Sequence, residues 1–253
     1  MSGSLCIVGL GPGAAEWITP EATAALAVAS DLVGYQRYLD RVSPRADQRR
    51  HGSDNREEIA RARQALTLAA EGRRVAVVSG GDPGVFAMGA AVFEAIEAGD
   101  AAWRGLDIQV IPGISAMQAA AARLGAPLGH DFCVISLSDN LKPWDVIARR
   151  LRAAADGDFV LALYNPASRS RPEPIRLAFE LLRACKGAAT PVAFARALGR
   201  ADEHVILTTL AEADPEVADM STLVLIGSSE TRFIDRPGAR PWLLTPRRYG
   251  AGQ

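Results

Sequence analysis

Short apolar runs that end in glycine- or proline-marked turns restrict the folds open to this chain more than any other feature. Leu5-Cys6-Ile7-Val8 runs into Gly9-Leu10-Gly11-Pro12-Gly13, and Val75-Ala76-Val77-Val78 into Ser79-Gly80-Gly81-Asp82-Pro83-Gly84. A third run, residues 108–111, leads to Pro112-Gly113-Ile114. Such runs read as buried strands. Helical patterns lie between them. Thr19-Pro20-Glu21 supplies a cap, a first-turn proline and an acid. Asp54-x-x-Glu57 reads as a capping box before Ile59, Ala62, Leu66 and Ala69, which share one helical face. A further helix is expected over 87–97 and a short strand over 31–34. Strands punctuated by helices predict a mainly parallel α/β sheet, whose ligands sit beyond the carboxyl ends of its strands.

Pro112-Gly113-Ile114 reads as a hinge, after which Ser115-x-x-Gln118 caps an alanine-rich helix that ends at Gly125. From Asp131 the pattern shifts toward strands, expected over 132–136, 159–164, 192–195, 204–210 and 223–227, with helices over 144–155 and 174–185. The expectation is two α/β domains, 1–113 and 114–253, with an irregular tail from Pro237.

Composition bounds the function classes. With 49% hydrophobic and 23% charged residues and a net charge of −1, nothing points to nucleic-acid binding through the overall field. Only Lys142 and Lys186 are lysines among the 28 basic residues. A compositional bias of the genome and arginine recognition of planar carboxylates both account for this. Cys6, Cys133 and Cys185 lie in apolar surroundings without CxxC spacing, and none of His51, His130 and His204 has a partner at ligand spacing. Structural thiols and no metal site are therefore expected. With no leader pattern and no membrane-length apolar stretch, a cytoplasmic, membrane-free protein is expected.

Gly9-Leu10-Gly11-Pro12-Gly13-Ala14 satisfies the dinucleotide pattern GxGxxG/A formally. Pro12, however, has no N–H to offer a pyrophosphate, the clear helix start comes late at Thr19-Pro20, and Asp31 precedes its strand rather than ending it. A tight turn lining a different pocket fits better. Phosphate loops place Lys and Ser/Thr after their glycines, whereas Gly80-Gly81-Asp82 places a carboxylate there. A ligand with hydroxyls or positive charge suits that loop; a plain turn with Asp82 capping the next helix is the alternative. Ser115-Ala116, Ser136 to Asp139, Tyr164-Asn165 and Arg196 also gather at predicted strand ends, and together they outline a cleft between the two domains.

Val8 to Gly13 with Ile18-Thr19, Ser79 to Pro83, and Pro112 to Ala116 together resemble the tetrapyrrole (corrin/porphyrin) methyltransferase family along nearly the whole chain. Leu124 to Phe132, Ile135 to Asp139 with Pro143-Trp144, Tyr164-Asn165-Pro166-x-Ser168, Asp219 to Thr222 and Thr245 to Tyr249 are similar to members that methylate a cobalamin precursor and contract its macrocycle. Arg248 stands where glycine is expected. The resemblance implies a homodimer of two-domain chains that holds S-adenosylmethionine in the interdomain cleft. By motif, Pro12, Gly80, Gly81, Asp82, Val85, Ser115, Ala116, Asn165, Ala197 and Thr222 line the cofactor site. Asn165 and Ala197 depart from the Met and Gly common in relatives. Arg37, Arg56, Arg169, Arg171 and Arg196 are candidates for the carboxylates of the tetrapyrrole substrate, and His130 and Asp139 for acid/base work in ring contraction. For these last two, capping and loop hydrogen bonding are the plain alternatives. Another ring position, a cobalt-containing precursor, a nicotinamide-dependent oxidoreductase and a non-catalytic adenosyl-ligand sensor remain as other readings.

Overall fold

The computed structural model describes residues 3–54, 57–168 and 170–248. The chain divides into two compact units, Met1–Ser115 and Ala116–Gln253. The first runs β1 (Ser4–Gly9), α1 (Pro20–Val28), β2 (Asp31–Tyr35), α2 (Gln36–Leu39), β3 (Arg49–Ser53), α3 (Glu58–Ala70), β4 (Arg74–Ser79), α4 (Met88–Ala98) and β5 (Asp107–Ile111). These strands form one sheet in the order β3-β2-β4-β1-β5, with every pairing parallel.

Burial on both faces explains the continuous apolar runs, because helices cover each side of a parallel sheet. Leu5, Ile7, Val75 and Val77 pack with Ala62, Leu66 and Val92 of α3 and α4. Their neighbours Val8, Ala76 and Val78 pack with Ala22 and Leu26 of α1. The chain leaves β1 for β2 on one side and later crosses from β4 to β5 on the other. The strand order therefore reverses between β1 and β4, and the loops leaving these two strands are neighbours.

The second unit runs α5 (Ala116–Leu124), β6 (Gly125–Ala126), β7 (Phe132–Ser136), α6 (Trp144–Asp156), β8 (Val160–Tyr164), α7 (Glu173–Cys185), β9 (Pro191–Arg196), β10 (His204–Thr209), β11 (Thr222–Ile226), β12 (Arg232–Ile234) and β13 (Trp242–Leu244). Its main sheet has the order β10-β9-β11-β8-β7. Only β7 and β8 pair in parallel; the other pairings are antiparallel. Ile147 and Leu151 of α6 and Phe179 and Leu182 of α7 bury against Leu161, Phe194 and Val224. The Phe179 and Phe194 rings stack at 5.8 Å.

Three local expectations are corrected. Strand β3 was not expected, since Arg-Arg-His-Gly-Ser carries no apolar signal; it lies at the sheet edge and is fastened by His51 Nε2 at 2.8 Å from buried Asp31. The capping box fails because Glu57 itself is the N-cap of α3, without a side-chain cap bond. The tail is not wholly irregular, because β13 pairs with β12 and with β6. The Thr19 cap forms as read, with Oγ1 accepting from Ala22 N at 3.1 Å. Among the described residues, no helix is long and apolar enough to cross a membrane.

Candidate functional site

Three loops leaving the carboxyl ends of β1, β4 and β5 meet backbone to backbone. Gly11 and Gly81 form a reciprocal bridge: Gly11 N donates to Gly81 O at 3.1 Å and Gly81 N to Gly11 O at 2.9 Å. Both have left-handed φ, +65° and +67°, which glycine adopts without steric cost. The third loop arrives at Gly113, where a Cβ would stand 2.4 Å from Gly81 O. Asp82 fastens the junction, its Oδ1 accepting from Gly84 N at 2.8 Å and its Oδ2 from Gly113 N at 3.0 Å. Arg41, unsuspected from the sequence, donates Nη1 to Gly11 O at 2.9 Å and Nη2 to Leu10 O at 2.6 Å. Nothing local marked it, because its partners lie two helices and a strand earlier.

This geometry decides what the loop can hold. The amides of Gly11, Gly81, Gly84 and Gly113 are all engaged internally, and Pro12 has none. No helix starts at Gly11 either: a 3-10 turn, Ala15–Trp17, intervenes and α1 begins at Pro20. A pyrophosphate needs free amides at a helix N-terminus, and this junction does not supply them. What it supplies is close-approach backbone and a carboxylate. A Cβ added at Gly81 would meet only Ile114 O, at 4.0 Å, so that side is open. At Gly80, by contrast, a Cβ would stand 2.7 Å from the Tyr38 ring. Val85 is half-buried beyond the loop, and buried Ser115 precedes Ala116, the first residue of α5.

In the second unit, Ser136, Asn165, Ala197 and Thr222 lie at one end of the main sheet, since β11 runs opposite to β8 and β9. Asn165 and Ala197 share an unusual backbone, with φ of +53° and +51°. Asn165 Nδ2 donates to Ser136 Oγ at 2.9 Å, and Ala197 N to Ser221 O at 3.0 Å. Thr222 pairs across the sheet with Arg196, and its Oγ1 donates to Asp219 Oδ1 at 2.8 Å. Burial works to raise the Asp219 carboxyl, but bonds from Thr222, Arg196 and the Ser221 amide hold it below its ordinary range.

The remaining candidates divide. Arg196 already bears two carboxylates, Asp219 and Asp202, each at 2.9 Å. Those bonds raise its guanidinium further above its usual value. Arg171 Nη1 lies 3.0 Å from Asp139 Oδ1, so a substrate candidate and an acid/base candidate hold each other. His130 Nδ1 accepts from Asp131 N at 2.7 Å. Arg37 is exposed on α2. Arg56 and Arg169 lie outside the described residues.

A family model described as Tetrapyrrole (Corrin/Porphyrin) Methylases matches residues 4–214. The chain belongs to the tetrapyrrole methylase family. Over 254 aligned residues, all of both chains, it is 57% identical to a Sinorhizobium protein named precorrin-3B C(17)-methyltransferase. A Salmonella typhimurium protein named probable cobalt-factor III C(17)-methyltransferase is 42% identical over 97% of this chain and 99% of its own. Among solved structures, that of the methyltransferase CobJ superposes with a TM-score of 0.92 at 51% identity, covering 97% of this chain and all of the other. Two α/β units with these sheets are thus the tetrapyrrole methylase fold.

Proposed function

We propose that this chain is an S-adenosylmethionine-dependent C-methyltransferase that methylates precorrin-3B at C-17, with ring contraction to precorrin-4, in cobalamin biosynthesis. The observation that carries the reading is the Gly11–Gly81–Gly113 junction with its amides consumed and Asp82 set among them. Such a junction suits a ligand that donates hydrogen bonds and carries positive charge, as a sulfonium with an amino group does. The full-length likeness to the Sinorhizobium enzyme supports this substrate above its cobalt-containing counterpart.

Pro12, Gly80, Gly81, Asp82, Val85 and Ser115 of the first unit, with Ala116, Asn165, Ala197 and Thr222 of the second, are proposed to hold the methyl donor. When bound, the donor supplies a methyl group on sulfur together with its own leaving group. The chain's residues then have to align and dehydrate the reacting atoms, which is worth roughly 7–11 kcal/mol when the geometry is right. That suits a site in which no nucleophile and base are seen paired among the described residues. Ring contraction does need a proton carrier, and His130 and Asp139 are proposed for it. Asp139 in that role must part from Arg171, which then becomes available to a substrate carboxylate alongside Arg37, Arg56 and Arg169. A homodimer is part of the proposal, checked by sedimentation.

Titration separates the classes: S-adenosylhomocysteine should bind and NADPH should not. Turnover of precorrin-3B should then add one methyl by mass, with a change in visible absorbance. NADPH binding in place of S-adenosylhomocysteine would sink the reading. For the proton carrier, His130→Ala or Asp139→Asn should slow formation of contracted product while cofactor binding survives; two unaffected variants would remove both residues from the role.

A further inference from the structure

Arg41 stands just past α2 and reaches back 28 to 31 residues to the loop that leaves β1. Its guanidinium donates to three carbonyls there: Nη1 to Gly11 O at 2.9 Å, and Nη2 to Leu10 O at 2.6 Å and to Gly13 O at 3.3 Å. Gly11 O accepts a second bond, from Gly81 N at 2.9 Å, so both its lone pairs are engaged. That oxygen belongs to the same planar peptide as Pro12 N. Fixing it from two directions sets the plane on which the Pro12 ring is mounted, and the bond to Gly13 O fixes the chain on the far side. One side chain thus holds Pro12 on both flanks, a task for which a planar fork of donors is suited. The clasp is itself anchored. Arg41 N donates to Tyr38 O at 3.1 Å, and Arg50 of β3 donates Nη1 to Leu39 O at 3.0 Å and Nη2 to Val42 O at 2.6 Å, bracketing Arg41. The β1–β4 ladder and the Gly11–Gly81 bridge already secure the start of this loop. What the clasp adds is the placement of the residues beyond them, Pro12 and Gly13.

We propose that Arg41 is a positioning residue for the methyl donor, acting through Pro12, whose place in the donor site it fixes from behind the loop. The inference rests on the donor site proposed above. The fork, rather than the charge, is the working part: a single donor cannot span three carbonyls.

Two variants of the full chain test this, Arg41→Ala and Arg41→Lys. Lysine keeps the charge and an apolar stem but offers a point donor in place of a fork, so it still answers if alanine fails to fold. The Kd for S-adenosylhomocysteine, read by calorimetry, should rise about 10- to 100-fold in Arg41→Ala and about 3- to 10-fold in Arg41→Lys, with the stoichiometry unchanged. At saturating S-adenosylmethionine the KM for precorrin-3B should stay within about twofold of wild type. A role in folding alone moves other quantities: melting temperature and stoichiometry fall, while the protein that remains folded keeps the wild-type Kd. That result would overturn the proposal. So would a KM that rises with the Kd, which would place Arg41 against the substrate, or an unchanged Kd in Arg41→Lys, which would mean that charge suffices. If the wild-type chain does not bind S-adenosylhomocysteine, the donor site is wrong and this inference falls with it. If the wild type binds it but leaves precorrin-3B unchanged, the substrate reading fails and the Kd comparison still decides Arg41. If the wild type binds and both variants match it, only the role of Arg41 fails.

Discussion

Asp82 meets two demands at once. Both its oxygens accept backbone amides from different loops, and its charge is what remains for a cationic ligand. Asp82→Asn keeps one acceptor but turns an NH2 group toward the other amide. Stability should fall by about 1–2 kcal/mol, since bonds to charged groups are the stronger kind. S-adenosylhomocysteine affinity should fall about tenfold or more, read by calorimetry, and unchanged affinity would leave Asp82 a purely structural clasp. Ala197 poses the opposite case. Its φ of +51° suits glycine, so Ala197→Gly should stabilise by about 1 kcal/mol, a rise of roughly 2–4 °C in Tm. A lower Tm would show that the methyl group is needed where it sits. At this scale the glycines were legible because turn chemistry is local. Arg41 was not, because it depends on partners in a distant loop.

At the scale of elements, the buried strands were legible from their apolar runs, whereas β3 was not. Its polar sequence is held by side chains rather than by burial of an apolar face. Asp31, 1% exposed, is central to that arrangement, accepting from Ser30 Oγ at 2.8 Å and Arg73 Nη1 at 3.1 Å and lying 2.8 Å from His51 Nε2. Burial pushes its carboxyl upward, but the bonds from His51 and Ser30 and the charge of Arg73 prevail and lower it. A carboxyl lowered in the folded state contributes stability that is present above its unfolded pKa of about 3.9 and is lost as pH falls through the folded value. Asp31→Asn should therefore cost most near neutrality, and its stability gap to wild type should narrow as the pH drops through the acid range. Denaturant titrations at several pH values measure this, and a constant gap would mean that Asp31 acts through shape alone. The β12-β13 pairing was hidden for a related reason, since such short strands carry no usable periodicity.

At the scale of the whole molecule, each unit has its own buried core, so each has its own means of staying folded. If the proposed donor site draws residues from both, saturation should stabilise the chain as a whole. At a hundredfold excess over Kd, S-adenosylhomocysteine should add about 2.7 kcal/mol. That corresponds to a Tm rise of roughly 5–11 °C. Calorimetry checks this, and a flat response would remove the ligand from the folded state. The glycine junction carries one more consequence, for the order of events during folding. Its loops come from β1, β4 and β5, which span almost the full length of the first unit, so it cannot close until all three strands are docked. Contacts between such distant segments form late. The amides of Gly11, Gly81 and Gly113 should accordingly be among the last to gain protection in pulse-labelled hydrogen exchange during refolding, marking the moment at which the unit becomes able to bind.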